Sequence, residues 1–519
     1  MTGGDIDLTL GDIVSDNAVR FGDVPAYKMG PRTTTHAQLH ERAVRLVSAM
    51  ATAGVRRQDR VAVLSRNSVE FGEVMAATHL SGVILATVNF RLSPGEMLDV
   101  LKRVSPSIVF CSDEFASVIT ELAPQLPSGP VLVHFGGSGR AGMVDFEEFV
   151  AGGRGRLPFV ARPDDIACLL FTSGTTGPSK CGILGQRELR RVAFTMNVEM
   201  RTGSTDRGLI NMPMFHVGAM AIIGGLHARG GSVVLQQQFD AAAAVHMIQD
   251  ERITLLHLAP VMLRALLDEV TDARSLDSLR TVVYSAAPMP VTTLKQALSL
   301  LPQVGFLNLY GQTEAIMSGL PRELHDVNGS GAADALRSVG FPFPGVRVRI
   351  VGDDDRDVEP GEPGEIVVCS DSLFRGYWDD PAATLSTLRD GWCRTGDIGR
   401  FDQRGLLYLV DRKKDIIITG GENVYSPEVE EALGAIEGVA ACAVVGAPDE
   451  KWGEAVCAVV VPAAGATLTL ETVQDVVRSR LASYKVPRRL VLVNELPVLA
   501  SGKVDKKRLR ADVAAAAAG

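Results

Sequence analysis

The sequence predicts an α/β protein of mixed α+β class, with a large N-terminal body and a small C-terminal α+β module. Short apolar runs alternate with helical stretches over the first two thirds of the chain, which is typical of parallel sheets covered on both faces. After about residue 340, short strand-like runs are joined by Gly, Pro and Asp turns, which favours antiparallel pairing. A further set of strands and helices begins at about residue 412.

Each element of the body follows from the spacing of its apolar residues. Apolar runs of strand length occupy 61–65, 83–89, 107–112, 131–135, 166–172, 232–237, 253–259 and 281–286. Helical periodicity occupies 36–53, 69–80, 240–251 and 261–269. Strands that are joined through helices in this way pair in parallel.

The C-terminal module is predicted from its own turn and cap signals. After the strand-like DIIITGG, we expect a helix with Ser426 as N-cap and Pro427 in its first turn. Two strands within ACAVVGA and AVCAVVV come next, followed by a helix over residues 470–481 and a last strand in RLVLVNEL. This makes an independent α+β module of about 100 residues.

Composition excludes several classes of protein. The chain has 519 residues, of which 46% are hydrophobic and 22% charged, as in globular proteins. A net charge of −9 argues against nucleic-acid binding, although ten residues between Arg478 and Arg510 are basic and only two are acidic. No apolar run reaches about 18 residues, so no membrane span is expected. Seven cysteines without a CxxC pair, and an N-terminus without signal-peptide character, favour a cytoplasmic protein with reduced thiols.

The strongest local motif is FTSGTTGPSK, residues 171–180, directly after an apolar strand. Glycines let the backbone approach an anion, and the hydroxyls and N–H groups donate to phosphate oxygens. The loop departs from the Walker pattern, which requires Gly at 179 and Ser or Thr at 181, so a P-loop kinase or ATPase is disfavoured. Residues 137–142 match GxGxxG, but no strand with an acidic end follows, so a dinucleotide site is disfavoured as well.

Five motifs together resemble one family. They are the phosphate loop, YGQTEA (310–315), WCRTGDIG (392–399), DRKKDIIITGGENVYSPEVE (411–430) and PVLASGK (497–503). Their order and spacing resemble the AMP-forming acyl-CoA synthetases of the adenylate-forming superfamily, which includes acyl- and aryl-CoA ligases, luciferases and peptide-synthetase adenylation domains. The resemblance spans essentially the whole chain. It implies an N-terminal domain, 1–411, of two αβ subdomains and a small β-barrel-like one, a mobile C-terminal domain, 412–519, and a hinge near 411–414 at Asp411 and Lys414.

The resemblance also implies two half-reactions at one site. A carboxylic acid (fatty, medium-chain or aryl) attacks the α-phosphate of ATP to give acyl-AMP and pyrophosphate, and the thiol of CoA then displaces AMP. It gives catalytic roles to Lys503, Glu314 and His216. It assigns cofactor binding to Thr172, Ser173, Gly174, Thr175, Thr176, Gly177, Lys180, Ala286, Ala287, Pro288, Tyr310, Gly311, Gln312, Thr313, Asp397, Arg412, Gly420 and Gly421.

Residue chemistry agrees with several of these roles. The ring of Tyr310 offers a flat face to adenine, and Glu314 offers Mg²⁺ the oxygen ligand that it prefers. Asp397, expected in a Gly-flanked turn, can accept both ribose hydroxyls. Lys503 would offset the charge of two anions that are brought together. Gly420 and Gly421 would line the channel for the pantetheine arm, where a Cβ would crowd it.

The acyl pocket is predicted from two further segments, NMPMFHVGAM (211–220) and SAAPMP (285–290). They and the YGQTEA region supply His216, Gly218, Ala219, Ser285, Ala286 and Met317. These mostly small residues predict a mid-sized apolar pocket. The absence of an Asp in Phe215-His216-Val217 argues against amino acid substrates. Ala286 stands where the family commonly has Gly, and Ser179 and Cys181 replace the usual Pro and Gly around Lys180, which alters the stiffness of the phosphate loop.

Some questions stay open at the sequence level. The acceptor of the acyl group can be CoA or a carrier protein. A third alternative is a regulator that binds adenylate without catalysis. The presence of Lys503, Glu314 and Asp397 together argues against this alternative. The chain can be a monomer or a homodimer. Because Lys503 lies in PVLASGK, a lysine acetyltransferase and deacetylase acting on it would silence and restore adenylation. The sequence does not name the acid.

Overall fold

The fold is described from a computed structural model in residues 8–137, 140–171, 179–326, 332–499 and 504–518. The strands are β1 (Pro25–Met29), β2 (Arg32–Thr35), β3 (Arg60–Leu64), β4 (Ile84–Thr87), β5 (Ile108–Ser112), β6 (Val131–Phe135), β7 (Val144–Asp145), β8 (Ile166–Phe171), β9 (Cys181–Gly185), β10 (Arg207–Ile210), β11 (Ser232–Leu235), β12 (Leu255–Leu258), β13 (Thr281–Ser285), β14 (Gly305–Gly311), β15 (Ile316–Gly319), β16 (Phe341–Pro342), β17 (Val346–Val351), β18 (Gly364–Ser370), β19 (Leu388–Arg389), β20 (Trp392–Phe401), β21 (Leu407–Arg412), β22 (Ile417–Thr419), β23 (Glu422–Val424), β24 (Val439–Asp449), β25 (Gly453–Pro462) and β26 (Arg489–Leu492).

The helices are α1 (Leu10–Arg20), α2 (His36–Thr52), α3 (Val69–Ser81), α4 (Pro94–Val104), α5 (Ala116–Leu122), α6 (Phe146–Ala151), α7 (Gln186–Met200), α8 (Val217–His227), α9 (Ala241–Asp250), α10 (Pro260–Glu269), α11 (Val291–Leu300), α12 (Ala332–Ala335), α13 (Pro381–Thr387), α14 (Ser426–Gly434), α15 (Leu470–Arg478) and α16 (Lys506–Ala518). Short 3₁₀ turns lie at Asp113–Phe115, Ala123–Gln125, Ala273–Leu276, Arg322–Leu324 and Ser483–Lys485. None of the described helices combines the length and apolar character that crossing a bilayer requires.

The chain divides into two compact units. The first lies within Met1–Thr172, Lys180–Arg347 and Val368–Cys393, and the second includes Val348–Val367 and Arg394–Gly519. The first unit contains a nine-stranded sheet, ordered β16-β15-β14-β13-β12-β10-β11-β1-β2, and a seven-stranded sheet, ordered β7-β6-β5-β3-β4-β8-β9. The second contains the sheet β23-β22-β25-β24, in which β26 also pairs with β25.

Both large sheets are parallel at their centres. Strands β11, β10, β12, β13 and β14 form consecutive parallel pairs, as do β6, β5, β3, β4 and β8. Apolar side chains fill these strands on both faces; β12 and β13, for example, are buried along their whole length. All eight runs that were predicted to be strands in the body are confirmed.

Helix boundaries follow from caps that are visible in the sequence. At α3, the Ser68 hydroxyl accepts the N–H of Phe71, and the helix ends where Gly82 adopts a φ of 72°. At α2, Thr35 and Gln38 form a reciprocal capping box. These signals explain why the predicted helices 36–53 and 69–80 match the observed α2 and α3 to within one residue.

Two local predictions are wrong. Ser426 is the first residue of α14 rather than its N-cap, because its backbone N–H and hydroxyl both donate to Asp411 Oδ2, at 2.7 and 2.9 Å, so the hydroxyl does not cap the helix. Asp397 lies within strand β20 rather than in a turn, and it pairs with Arg412 at the end of the β20–β21 ladder. Antiparallel pairing after residue 340 is confirmed for β19–β20 and β20–β21.

Candidate active site

Two of the predicted segments leave the same edge of the nine-stranded sheet. Strands β13 and β14 are parallel neighbours, and their carboxyl ends carry residues 285–288 and 310–313. Residues 286–288 and Gly311 are exposed at this edge, whereas Ser285 and Tyr310 are buried. Ligands of open α/β sheets bind outside the carboxyl ends of parallel strands, so this edge is the candidate nucleotide and acyl site.

A tight turn presents Thr313 and Glu314 from this edge. The N–H of Gln312 donates to the carbonyl of Ala315 at 2.7 Å, which closes the turn between β14 and β15. Glu314 is then fixed by a residue that the sequence analysis missed, since the hydroxyl of Tyr377 donates to its Oε1 at 2.6 Å. Burial, and secondarily the Glu314 carboxylate, raise the pKa of Tyr377, so its hydroxyl keeps its proton and stays a donor.

Lys180 approaches the same tyrosine. Its Nζ lies 4.7 Å from the centre of the Tyr377 ring, where the ring's electron-rich face attracts a cation. Lys180, the predicted phosphate-loop cation, and Glu314, the predicted metal ligand, thus contact the same tyrosine. Lys180 lies over its ring face, and Glu314 accepts from its hydroxyl. The FRGYW sequence (374–378) is the only local signal that could have pointed to Tyr377.

The predicted phosphate-loop residues Thr172, Ser173, Gly174, Thr175, Thr176 and Gly177 lie outside the described residues, as does Lys503. The loop joins β8 to β9, whose register pairs Phe171 with Cys181. Cys181 is fully buried among apolar side chains, and burial raises the pKa of its thiol to about 12. Cys181, one of the two residues that depart from the family pattern here, is therefore a buried thiol that stays protonated near pH 7.

The residues of the predicted acyl pocket lie on or beside two strands, β13 and β15, and helix α8. His216 is the N-cap residue of α8, and Gly218 and Ala219 lie in the first turn of that helix. His257, on β12, lies between two of the predicted residues. Its Nε2 is 2.7 Å from Ser285 Oγ, and its Cε1 lies 3.5 Å from where a Cβ on Gly218 would stand.

His257 was missed by the sequence analysis because one histidine within the apolar run ITLLHLA carries no local signal. It is completely buried, and burial lowers its pKa to about 4, so the ring is neutral near pH 7. Its Nδ1 has no hydrogen-bond partner among the residues that the structure describes.

Ala286 has an unusual backbone. Its φ is +75°, in the left-handed region that favours glycine. An alanine here therefore holds a strained conformation, and the narrowing of the pocket by one methyl group stays a prediction. Ala287 and Pro288 follow in the exposed part of the segment, and Met317 is fully buried on β15.

A separate apolar cavity lies among α1, α3, α7 and α8. None of the predicted pocket residues lines it. The predicted acyl pocket residues instead lie near the carboxyl edge of the sheet or on α8.

In the second unit, Asp397 and Arg412 are register partners on β20 and β21 and form an ion pair, with Arg412 Nε 2.9 Å from Asp397 Oδ1. Asp397 is buried and Arg412 is partly exposed. The structure thus brings together the carboxylate and the guanidinium that were predicted to bind ribose and phosphate.

The predicted hinge residues have distinct surroundings. Asp411 is buried and accepts the N–H groups of Arg412 and Ser426, both at 2.7 Å, and burial raises its pKa. Lys414 is exposed, and its backbone carbonyl accepts a hydrogen bond of 3.0 Å from Arg510 on α16. A second guanidinium nitrogen of Arg510 donates to the carbonyl of Asp415, also at 3.0 Å.

Gly420 and Gly421 form the turn between β22 and β23, with φ values of +60° and +86°. A Cβ on Gly420 would lie 2.7 Å from the ring of Trp452, whereas one on Gly421 would meet open space. In this conformation, the left-handed backbone at both positions and the contact with Trp452 at the first already require glycine.

Comparison with known proteins decides the family. Residues 14–378 match the family described as AMP-binding enzyme, and residues 428–503 match the AMP-binding enzyme C-terminal domain. The chain belongs to the AMP-binding enzyme family. The adenylate-forming superfamily predicted from the five motifs is thereby confirmed, and so is the fold class.

Several members of the AMP-binding enzyme family resemble the chain over nearly its full length. Feruloyl-CoA synthase of Amycolatopsis sp is 35% identical over 93% of this chain and 95% of its own length. Fatty acid–[acyl-carrier-protein] ligase ScoC of Streptomyces coeruleorubidus is 33% identical over 97% of this chain and 96% of its own. The structure of ATP-bound MatB from Rhodopseudomonas palustris superposes with a TM-score of 0.87 at 27% identity, over 97% of this chain and 99% of that one.

Membership in the AMP-binding enzyme family agrees with the use of ATP that the site geometry favours. Tyr377 and His257 are additions that the structure makes to the predicted site, each through a contact with a predicted residue. Both contacts join segments that are distant in sequence.

Proposed function

We propose that the chain is an AMP-forming acid–CoA ligase. The observation that carries this proposal is the position of residues 285–288 and 310–314 at the carboxyl ends of adjacent parallel strands, in a chain that matches both domains of the AMP-binding enzyme family. Relatives with names such as feruloyl-CoA synthase support CoA as the acceptor. The proposed substrates are therefore ATP, CoA and a carboxylic acid.

In the first half-reaction, a carboxylate oxygen of the acid attacks the α-phosphorus of ATP. The new acyl–O–P bond replaces the bond between the α-phosphorus and the bridging oxygen, and pyrophosphate leaves. The phosphate loop and Lys180 hold the phosphates, Tyr310 stacks on adenine, and Asp397 accepts the ribose hydroxyls. Lys503 offsets the charge that develops where the two anions meet.

Glu314 is the proposed Mg²⁺ ligand. Carboxylate oxygen suits this hard cation, and the Tyr377 hydroxyl fixes the orientation of the carboxylate, as partners of metal-binding carboxylates commonly do. Bound Mg²⁺ would supply neutralisation of the phosphate charge. The residues present thus fit the ion.

In the second half-reaction, the thiolate sulfur of CoA attacks the acyl carbon and AMP leaves. We propose that the hinge at 411–414 turns the C-terminal domain, 412–519, against the domain 1–411 between the two steps, as hinge residues at element ends commonly do. Gly420 and Gly421 would then border the pantetheine arm.

A carrier protein is the second candidate acceptor, and it is favoured by the name of the relative ScoC. The chemistry is the same, because carrier proteins present a thiol on a pantetheine arm. We propose that the enzyme acts in the cytoplasm, where ATP and CoA are available.

The proposal is tested by ATP–pyrophosphate exchange over a panel of aryl, medium-chain and branched acids, followed by turnover with free CoA and with pantetheinylated carrier protein. We expect exchange with at least one acid and thioester formation with free CoA. Exchange without CoA turnover, but with transfer to the carrier protein, would assign the second acceptor. The absence of exchange with every acid would support the non-catalytic regulator instead.

A further inference from the structure

A polar pair interrupts an otherwise apolar face of the nine-stranded sheet. On this face, His257 of β12 lies between Ile210 of β10 and Val283 of β13, its register partners. Ile210 and Val283 belong to the same apolar core cluster as Ala219 of α8. Burying an imidazole in such a layer is unfavourable unless its nitrogens find partners, so its presence requires an explanation.

The pair lies beside residues of the predicted acyl pocket. His257 Cε1 borders Gly218, and His257 Nε2 contacts Ser285, so the ring lies between two predicted pocket residues from separate segments. Ser285 is only 8% exposed, whereas residues 286–288 are exposed at the edge of the sheet. Ser285 therefore lies deeper in the protein than the exposed residues 286–288 that follow it.

The hydrogen bond between the two residues has a definite direction. A neutral imidazole carries one N–H and one lone pair. On Nδ1 the proton would be buried without an acceptor among the described residues, whereas on Nε2 it meets Ser285 Oγ at 2.7 Å. Nε2–H therefore donates and Ser285 Oγ accepts.

This direction leaves the Ser285 proton available. Among the described residues, the Ser285 hydroxyl makes no hydrogen bond other than the one with His257. The pair thus presents one oriented O–H donor inside a pocket whose other predicted walls are largely apolar. A few fixed polar groups in an apolar pocket determine which ligands bind and in which orientation.

We propose that Ser285, positioned by His257, donates a hydrogen bond to an oxygen on the acyl chain or ring of the substrate, so that the enzyme selects carboxylic acids that carry a hydroxyl, methoxy or carbonyl group away from the carboxylate. This inference rests on the proposed ligase function, which it narrows to a substrate class. His257 is a positioning residue and Ser285 a specificity-determining one.

The test compares matched acids that differ by one oxygen substituent. Benzoate, cinnamate and octanoate are each paired with their positional hydroxy, methoxy or oxo derivatives, and kcat/KM is measured by ATP–pyrophosphate exchange. We expect a preference of roughly tenfold or more for the oxygenated member of at least one pair, since one hydrogen bond to an oriented buried donor is at stake. In S285A this ratio falls to near one, because kcat/KM for the oxygenated acid falls by more than kcat/KM for the plain acid. H257L lowers the same ratio.

Tyr284→Phe is the matched control. Tyr284 precedes Ser285 on β13, and its hydroxyl lies 2.9 Å from His325 Nε2, so this variant also breaks a hydroxyl–imidazole contact but lies outside the predicted pocket. It should keep the wild-type ratio. If H257L does not fold, S285A and Tyr284→Phe still decide the question.

Three results would overturn the proposal. One is equal use of both members of every pair by the wild-type enzyme, and another is an unchanged ratio in S285A. The third is an equal loss of kcat/KM in S285A for both members of a pair. Ser285 would then act on the reacting carboxylate, or it would only stabilise the fold. The absence of exchange with every acid would instead overturn the ligase function, and this inference with it.

Discussion

At the scale of single residues, the site depends on contacts that no local sequence pattern contains. The YGQTEA motif predicts Glu314, but Tyr377, which fixes its carboxylate, lies 63 positions further along the chain. In the same way, SAAPMP predicts Ser285, whereas His257 reaches it from 28 positions upstream. The residue types that carry the chemistry are visible in the sequence, while the residues that orient them depend on how the strands are ordered.

Replacing Tyr377 tests the orientation of Glu314. We expect Y377F to raise the Mg²⁺ concentration that gives half-maximal pyrophosphate exchange by about tenfold, because a partner that orients a metal-binding carboxylate is lost. Mn²⁺ binding in the presence of ATP, followed by electron paramagnetic resonance, gives a readout independent of activity. Tyr408→Phe is the control, since the Tyr408 hydroxyl donates at 3.3 Å to Asp402, a carboxylate with no predicted site role. Equal metal affinity of the two variants would show that Tyr377 does not orient the ligand.

The backbone of Ala286 gives a second prediction at this scale. Because its φ is +75°, Ala286→Gly relieves strain, and we expect the free energy of unfolding to rise by about 1 kcal/mol. Ala287→Gly is the control. Ala287 is not among the described residues with positive φ, so glycine there should lower stability by roughly 0.5–1 kcal/mol. Urea unfolding measures the free energy of unfolding of both variants. A lower value for Ala286→Gly than for the wild type would show that the Ala286 backbone is not strained.

At the scale of elements, strands and helices follow closely from periodicity and caps, because each depends on residues within a few positions. The sequence does not predict the start of α14 correctly, because the Ser426 hydroxyl donates to Asp411, which lies on strand β21. The surroundings of the predicted hinge were equally hidden, since α16 reaches Lys414 and Asp415 through Arg510. We infer that α16 restrains the hinge backbone through these two hydrogen bonds.

Removing Arg510 tests this restraint. In R510A the carbonyls of Lys414 and Asp415 lose their side-chain donor, so we expect faster hydrogen exchange of the backbone amides in residues 411–419. Arg508→Ala is the control, because Arg508 on the same helix is exposed and lies 3.8 Å from Asp512, also on α16. Mass spectrometry of peptides from this region measures the effect. Equal exchange in both variants would show that Arg510 does not restrain the hinge.

At the scale of the whole molecule, the chain has a net charge of −9 but must hold ATP and CoA, which are polyanions. Local donors around Lys180, together with Mg²⁺ at its proposed ligand Glu314, would hold phosphate in an acidic body, while the basic segment between Arg478 and Arg510 carries Lys503. The sequence identifies this lysine through PVLASGK, and its position lies outside the described residues. We propose that Lys503 acts in only one of the two half-reactions, the formation of acyl-AMP.

Substitution of Lys503 is the most direct test of whether this lysine acts in only one half-reaction. Acyl-AMP formation is measured by pyrophosphate release, and thioester formation is measured separately from supplied acyl-AMP and CoA. We predict that K503A loses acyl-AMP formation by at least about 100-fold, as when a group that stabilises transition-state charge is removed, yet largely keeps thioester formation. Lys507→Ala, which alters an exposed lysine of the same basic segment, should leave both rates unchanged. An equal loss of both half-reactions in K503A would contradict the account.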